Sequence, residues 1–407
     1  MTKPLPLQGY KVIELATVVA APTAGRLLSD YGAEVIKIEM PPAGDPLREM
    51  GEMHMLPTEP GNNPLFDTFN SGKKLISVDL KKPEGFKLLT ELLADADVFI
   101  SNIRPQSLEK LGLGYETLKE SFPRLVYAHF SGFGLKGPDK DRPGYDTTAF
   151  WMRTGAVGDW LPDGGFPARP SFAFGDIVSA AYFLNGILMA LLARERTGHG
   201  TMVSTSLFNT GIWANATSVV NTQPQYGRVY PNSRYDPWNL FSDYYRCADG
   251  VWIAPVSRNY TIDRPLLARL FDAPELVEDP DCVTVSRIRK AGKLESVIRR
   301  VGEAVAKKTA EEWIALFEEC DLPYETVRSV QTLYRDRQAW ENGFFENVSY
   351  PDGSEPAMPV PPIIFTEYAR RGFTPQGELG ADTDGVLASA GYSGESIERL
   401  KKDGVIK

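Results

Sequence analysis

A chain of 407 residues is too long for a single small core, and two domains, or three at most, suit its length. With 43% hydrophobic and 24% charged residues it has the composition of a folded globular protein and not of a disordered or fibrous one. A formal net charge of -9 argues against general binding to nucleic acid or an anionic membrane, yet leaves room for a local basic patch around a small phosphorylated ligand.

The first residues, MTKPLPLQGYKVIELA, lack a basic region followed by an apolar stretch and a small-residue cleavage site, so a cytoplasmic location is expected. KVIELAT (Lys11 to Thr17) reads as a strand, PTAGRLLSDYG as a helix opened by Pro22, and AEVIKIE (Ala33 to Glu39) as the next strand. LISVDL (Leu75 to Leu80) is a further strand. It leads into a helix begun by Pro83, with Phe86, Leu89, Leu93 and Ala96 at helical spacing, and then into the strand DVFISN. LVYAHFSGFG (Leu125 to Gly134) supplies another. Strands alternating with helices predict an α/β fold, a doubly wound parallel sheet whose ligands sit beyond the strand C-termini.

Asp176 to Arg196 is long and largely apolar, but Asp176, Ser179, Asn185 and Gly186 interrupt it, so it is expected to be a buried core helix and not a membrane span. Pro224 to Pro237, rich in Pro, Asn and Tyr, reads as a linker. Beyond it FSDYYRCADGVWIAPVS carries a hairpin signal around Ala-Asp-Gly, and RPLLARLF, LESVIRRVGEAV and AEEWIALFEE are helical, which predicts a smaller α+β domain. After about Trp340 the chain is Pro-rich, and it ends in a short amphipathic helix that Ser393 can cap. Cys247, Cys282 and Cys320 are far apart, without CxxC spacing or neighbouring histidines. They predict spectator thiols in a reducing compartment, with neither disulfide framework nor zinc site. His54, His129 and His199 form no recognisable triad order, and none is assigned a catalytic role.

KVIELATVVAAPTAGRLLSDYGAEVIKIE, GDPLR, NSGKKLISVDLKKPEG, ADVFISNIRPQSLEKLGLGYETL, SGFGLKGPDKDRPGYDTTAFW and DIVSAAYFLNGILMALLARERTGHGTMVSTSL follow one another over the first half of the chain. ADGVWIA and AEEWIALFEECDLPYETVRSV continue the series. In this ordered succession the chain resembles the family III CoA-transferases of the formyl-CoA transferase (CaiB-BaiF) type. GPDKDRPGYDTTAF and VYPNSRYDPWN are most similar to members acting on 2-hydroxyacyl-CoA and aryl-enoyl-CoA, the cinnamoyl-CoA:phenyllactate and 2-hydroxyisocaproate CoA-transferases. The resemblance implies a Rossmann-like large domain built from residues 1–222 and completed by a return segment, 331–407, with a linker and small domain at 223–330. It also implies an interlocked homodimer, CoA as the only cofactor with no metal and no nicotinamide, and a 2-hydroxyacyl-CoA dehydratase as a candidate partner.

CoA transfer between two acids must conserve the free energy of a thioester. A carboxylate nucleophile does so: it attacks acyl-CoA to give a mixed anhydride and CoA thiolate, which then attacks the aspartyl carbonyl to form an enzyme thioester. Asp146, in GYDTTAF after a loop containing Gly132, Gly134, Gly137 and Gly144, matches the family nucleophile; by residue type alone it reads as a helix N-cap. The resemblance places CoA against Val18 and Ala20, Lys73, Asn102 and Ile103, Lys110 and Lys136, and Arg104 joins them by charge and place. Val19 stands where the formyl-CoA enzyme has glutamine, and with Trp151 it suits a larger, apolar acyl group; Tyr145 adjoins this pocket and Arg234 is a candidate partner for the acid's carboxylate.

The runner-up reading is an acyl-CoA racemase or epimerase of the same superfamily, which carries GHD where this chain reads GYD. A nicotinamide dehydrogenase would use Glu39 at the end of the second strand, but VVAAPTAG replaces its Gly-rich fingerprint. A non-catalytic CoA-binding subunit would have no use for Asp146.

Overall fold

Strands buried on both faces favour β-branched and other apolar residues, and KVIEL, EVIKIE, KLIS, VFIS and VYAHFS supply them, although Glu14, Lys37 and Glu39 are buried among them. In the computed structural model, which describes residues 3–161, 165, 167, 170–231, 233–237 and 239–407, they are β1 (Lys11–Leu15), β2 (Glu34–Glu39), β3 (Lys74–Ser77), β4 (Val98–Ser101) and β5 (Val126–Ser131). A sixth strand, β6 (Met202–Ser206), closes the edge beside β5. All pairings are parallel, in the order β3-β2-β1-β4-β5-β6. The strand order therefore reverses between β1 and β4, the crevice where doubly wound sheets hold ligands.

Helix α1 (Ala20–Asp30) follows β1 and starts two residues before Pro22. Proline is tolerated there because the N–H groups of a first turn have no intrahelical partner. Ile13, Ile36, Ile76 and Phe99 pack with Leu88, Leu89, Leu92 and Leu93 of α2 (Pro83–Leu93) in the main core. α1 packs on α3 (Phe174–Thr197), which ends at Gly198 in the left-handed conformation, φ 75°. α3 differs from the core helix expected of it. Phe183, Leu184, Ile187 and Leu191 are buried, whereas Met189 and Leu192 on its other face are each 64% exposed. Helix α4 (Leu207–Ala214) follows β6 and is capped by Ser206, whose hydroxyl accepts the Asn209 N–H.

The chain divides into two compact units: Met1–Ala156, Arg169–Val220 and Arg337–Lys407 form the first, Val157–Ala168 and Asn221–Asp336 the second. The last segment of the first unit adds Val386, Leu387, Ile397, Leu400 and Ile406 to the sheet's core, and Asp382 grips Leu75 of β3 through both its backbone N–H and its carboxylate. In the second unit β7 (Tyr245–Arg246), β8 (Trp252–Pro255) and β9 (Tyr324–Thr326) form an antiparallel sheet. Its core stacks Phe241, Phe271, Trp313 and Phe317, with Cys247 and Cys282 among them; all three cysteines are free thiols.

Candidate active site

The loop between β1 and α1 is held at nearly every residue. The Asn102 side chain, just past β4, accepts the Thr17 N–H at 3.0 Å and donates to the Thr17 carbonyl at 2.7 Å, joining the loops on either side of the crevice. Val18 sits at φ 65°, which a β-branched residue adopts only under constraint, and its N–H donates to Asp45 Oδ1 at 2.9 Å. Ser101 Oγ donates to the Leu15 carbonyl and accepts the Ile103 N–H. The buried His129 ring donates from Nε2 to the Ile103 carbonyl at 2.8 Å, and burial lowers its pKa, so it acts as a neutral tether. Val18 and Val19 share an apolar cluster with Ala173, the residue before α3, which brings the β1 loop to the start of that helix.

That helix start carries the two carboxylates of interest. Asp146 opens a π-helical turn, Asp146–Met152, a helix form often found at functional sites. It caps α3 across the fold: its Oδ1 accepts the Asp176 N–H at 3.0 Å, in a helix with no side-chain cap of its own. A Cβ on Gly175 would lie 2.4 Å from that oxygen and 2.5 Å from the Phe150 ring, so only glycine lets helix and carboxylate approach this closely. Burial raises the Asp146 pKa, while hydrogen bonds from the Asp176 and Gly175 backbone and from the Trp151 indole oppose the rise. Burial, and then the charge of Asp146, push the Asp176 carboxyl up to about 7. Beside the pair, Phe150 meets the buried Trp151 edge to face at 5.4 Å, and Trp151 lies tilted against Phe174 at 5.6 Å. Gly132 and Gly144 approach so closely that a Cβ on either would lie 2.7 Å from the other's Cα, folding the loop after β5 back to deliver Asp146.

The remaining expected residues fall into two groups. Ala20 opens α1, and Arg104, Lys110, Lys136 and Tyr145 are exposed on loops or helix ends that follow β4 and β5. Lys73 differs. It precedes β3, its side chain is wholly buried, and its ammonium is engaged by Glu14 at 2.8 Å, the Pro22 carbonyl at 2.8 Å and Asn70 Oδ1 at 2.9 Å. Those partners occupy all three of its donors, leaving none for a phosphate. Glu39 is likewise committed, to Arg48 and the Asp45 N–H. In the second unit the Arg234 guanidinium lies 5.3 Å above the Trp252 ring, in an open cleft of about 430 Å³ that Tyr244 and Val327 also line.

Asp176 was assigned no role from sequence. Its signal was an acidic residue directly after a glycine at the head of a long apolar helix, read only as an interruption of that helix.

The sequence profile described as CoA-transferase family III matches residues 7–383. The chain is 36% identical over 401 residues to the (R)-2-hydroxy-4-methylpentanoate CoA-transferase of Clostridioides difficile, covering 98% of this chain and 99% of the relative. It is 35% identical over 396 residues to the cinnamoyl-CoA:phenyllactate CoA-transferase of Clostridium sporogenes, covering 97% and 96%. Among solved structures, a CAIB/BAIF family protein from Brucella suis superposes with a TM-score of 0.78 at 27% identity, over 95% of this chain and 100% of that one. The crevice between β1 and β4, the carboxylates at the start of α3 and these likenesses together place the chain in CoA-transferase family III, as an enzyme that exchanges CoA between an acyl-CoA and a carboxylic acid.

Proposed function

We propose that the enzyme exchanges CoA between 2-hydroxy acids and aryl- or alkyl-enoic acids through aspartyl mixed-anhydride and aspartyl-CoA thioester intermediates. The carboxylate pair at the head of α3, set against Phe150, Trp151 and Phe174, carries this reading: it joins a nucleophile to an apolar wall. The substrate names of the two relatives agree with the apolar character of Val19 and Trp151.

Sequence assigned the attack to Asp146. The geometry favours Asp176. Asp146 spends its carboxylate as the cap of α3, whereas burial and the charge of Asp146 are the influences on the Asp176 carboxyl. A raised pKa makes a carboxylate a stronger nucleophile once ionised. CoA is taken by the Val18–Ala20 loop, Asn102, Ile103, Arg104, Lys110 and Lys136, and Arg234, in a cleft of the second unit, is the candidate for binding a carboxylate. The functional form is a homodimer in the cytoplasm. The exposed apolar residues Met189, Leu192 and Trp213 support a second copy as their cover, and the three free thiols support a reducing compartment. A 2-hydroxyacyl-CoA dehydratase is the partner that would use its product.

The test is trapping. The enzyme is incubated with cinnamoyl-CoA or 2-hydroxy-4-methylpentanoyl-CoA, then with hydroxylamine, and its peptides are read by mass spectrometry. A hydroxamate on Asp176 is the expected result. One on Asp146 returns the role to that residue, and exchange activity with neither adduct overturns covalent catalysis by the pair.

A further inference from the structure

Four ionisable side chains, Glu14, Lys37, Asp45 and Lys73, are completely buried beneath the β1–α1 loop, and none belongs to the carboxylate pair. Lys37 donates to Glu14 Oε1 at 3.0 Å and to the Ala16 carbonyl at 2.7 Å, and pairs with Asp45 Oδ2 at 2.9 Å. Lys73 meets the other side of Glu14 and donates to the Pro22 carbonyl. Asp45 Oδ1 accepts the Val18 N–H. Two lysines and two carboxylates thus interlock, and they hold the backbone at three points: residue 16 at the start of the loop, 18 within it and 22 in α1 after it.

Stability alone explains this poorly. Desolvating ions offsets most of what their pairing returns, and apolar residues of similar volume stabilise a core as well or better. What apolar residues cannot do is hold a chosen backbone atom in a chosen place. Val18 needs such holding, because a β-branched residue at φ 65° relaxes toward negative φ unless its surroundings over-determine it. The cluster is also built in tightly, since a Cβ on Gly25 of α1 would lie 1.9 Å from Glu14 Oε2.

We propose that this buried quartet is a clamp that presets the β1–α1 loop in its ligand-binding shape, with Asp45 as the positioning residue that fixes Val18. The inference rests on the reading that Val18 and Ala20 contact CoA. A preset loop has no ordering cost left to meet when acyl-CoA binds, so the clamp acts on binding of the thioester and not on the acid or the chemical step.

Steady-state kinetics with both substrates varied test it. Asp45→Ala removes the Val18 anchor and is expected to raise the KM for acyl-CoA about tenfold, with kcat and the KM for the acid within about twofold of the parent. Where Asp45→Ala does not fold, Asp45→Asn is examined by amide hydrogen exchange, with faster exchange at residues 16–22 and unchanged exchange in β1 expected. An unchanged KM for acyl-CoA, a parallel change in both KM values, or unchanged exchange overturns the clamp. Ala20→Glu separates this failure from that of the underlying reading. If a carboxylate at position 20 leaves the KM for acyl-CoA unaltered, the loop is not the CoA site. If it raises that KM while the Asp45 variants do nothing, the clamp alone fails.

Discussion

Asp146 accepts the backbone N–H of Asp176, a residue 30 positions later, at 3.0 Å. The N-cap role suggested by its residue type is met, but the helix it caps is α3 and not its own. With Asp176 as the proposed nucleophile, the two positions have different expected outcomes. Asp176→Asn is expected to lose at least about 10³-fold in kcat, as removal of a covalent nucleophile does. Asp146→Asn keeps an acceptor oxygen for the helix start, so it should cost no more than about 1 kcal/mol of stability and retain measurable exchange. Rapid-quench acyl-CoA exchange compares the two; equal and complete loss in both variants would contradict the assignment.

The same pair sets a pH dependence. The Asp176 carboxyl titrates near 7 in the folded enzyme, raised first by burial and then by the charge of Asp146, against 3.8 for an ordinary aspartate. Between those values the folded state holds a proton that the unfolded chain has released. This group's contribution to stability is therefore fully present below about 3.8 and is lost as pH rises through about 7. Activity runs the other way, since attack requires the carboxylate: kcat/KM for acyl-CoA should climb about tenfold per pH unit below the inflection and level off above it. In Asp146→Asn the inflection should move down while staying above the ordinary carboxylate range, because burial remains. A pH-rate profile whose inflection is unmoved or raised in that variant would be inconsistent with the coupling.

The parts of this fold that the sequence announced are those whose cause is local. Short runs rich in Val, Ile, Leu and Phe between helical patterns mark β1 to β5, and Ser393 caps its terminal helix as its spacing suggests. Edge strand β6, MVSTS, is half polar and gave no such signal. Lys73 was expected at CoA, and its burial was not legible because its acceptors come from Glu14, Pro22 and Asn70, segments with no sequence relation to one another. α3 was expected to be buried because its apolar residues run round its whole circumference, but the neighbours in the chain cover one face only. Asp176 was overlooked for the converse reason. Its importance arises from a carboxylate 30 residues away that its own surroundings in the sequence do not reveal.

Gly175 offers a steric test of the same junction. Alanine is the better helix former by about 1 kcal/mol, so on propensity Gly175→Ala should stabilise α3. The added Cβ, however, would stand 2.4 Å from Asp146 Oδ1 and 2.5 Å from the Phe150 ring, and the buried ring has little room to yield. Overpacking should win, at about 1–3 kcal/mol of net destabilisation, with kcat falling as the cap is pushed out of place. Urea unfolding and turnover measured on one preparation check both signs. A more stable and fully active variant would mean that the two segments are not held this closely in solution.

Arg234 is the test of acid recognition. Its guanidinium lies over Trp252, and one amino group reaches the Tyr244 carbonyl at 3.5 Å, so it is oriented by stacking more than by hydrogen bonds. A planar guanidinium can grip a carboxylate through two parallel N–H bonds, which a lysine ammonium cannot reproduce, and lysine stacks less well on an indole. Only the free acid offers a carboxylate here, because the donor's acyl carbon is already in thioester linkage. Arg234→Lys and Arg234→Ala should therefore both raise the KM for the acid, by roughly tenfold or more in the alanine variant, and leave the KM for acyl-CoA close to the parent value. A parallel rise in both constants would indicate that the residue supports the fold of the second unit, and an unchanged acid KM in the alanine variant would place the carboxylate elsewhere.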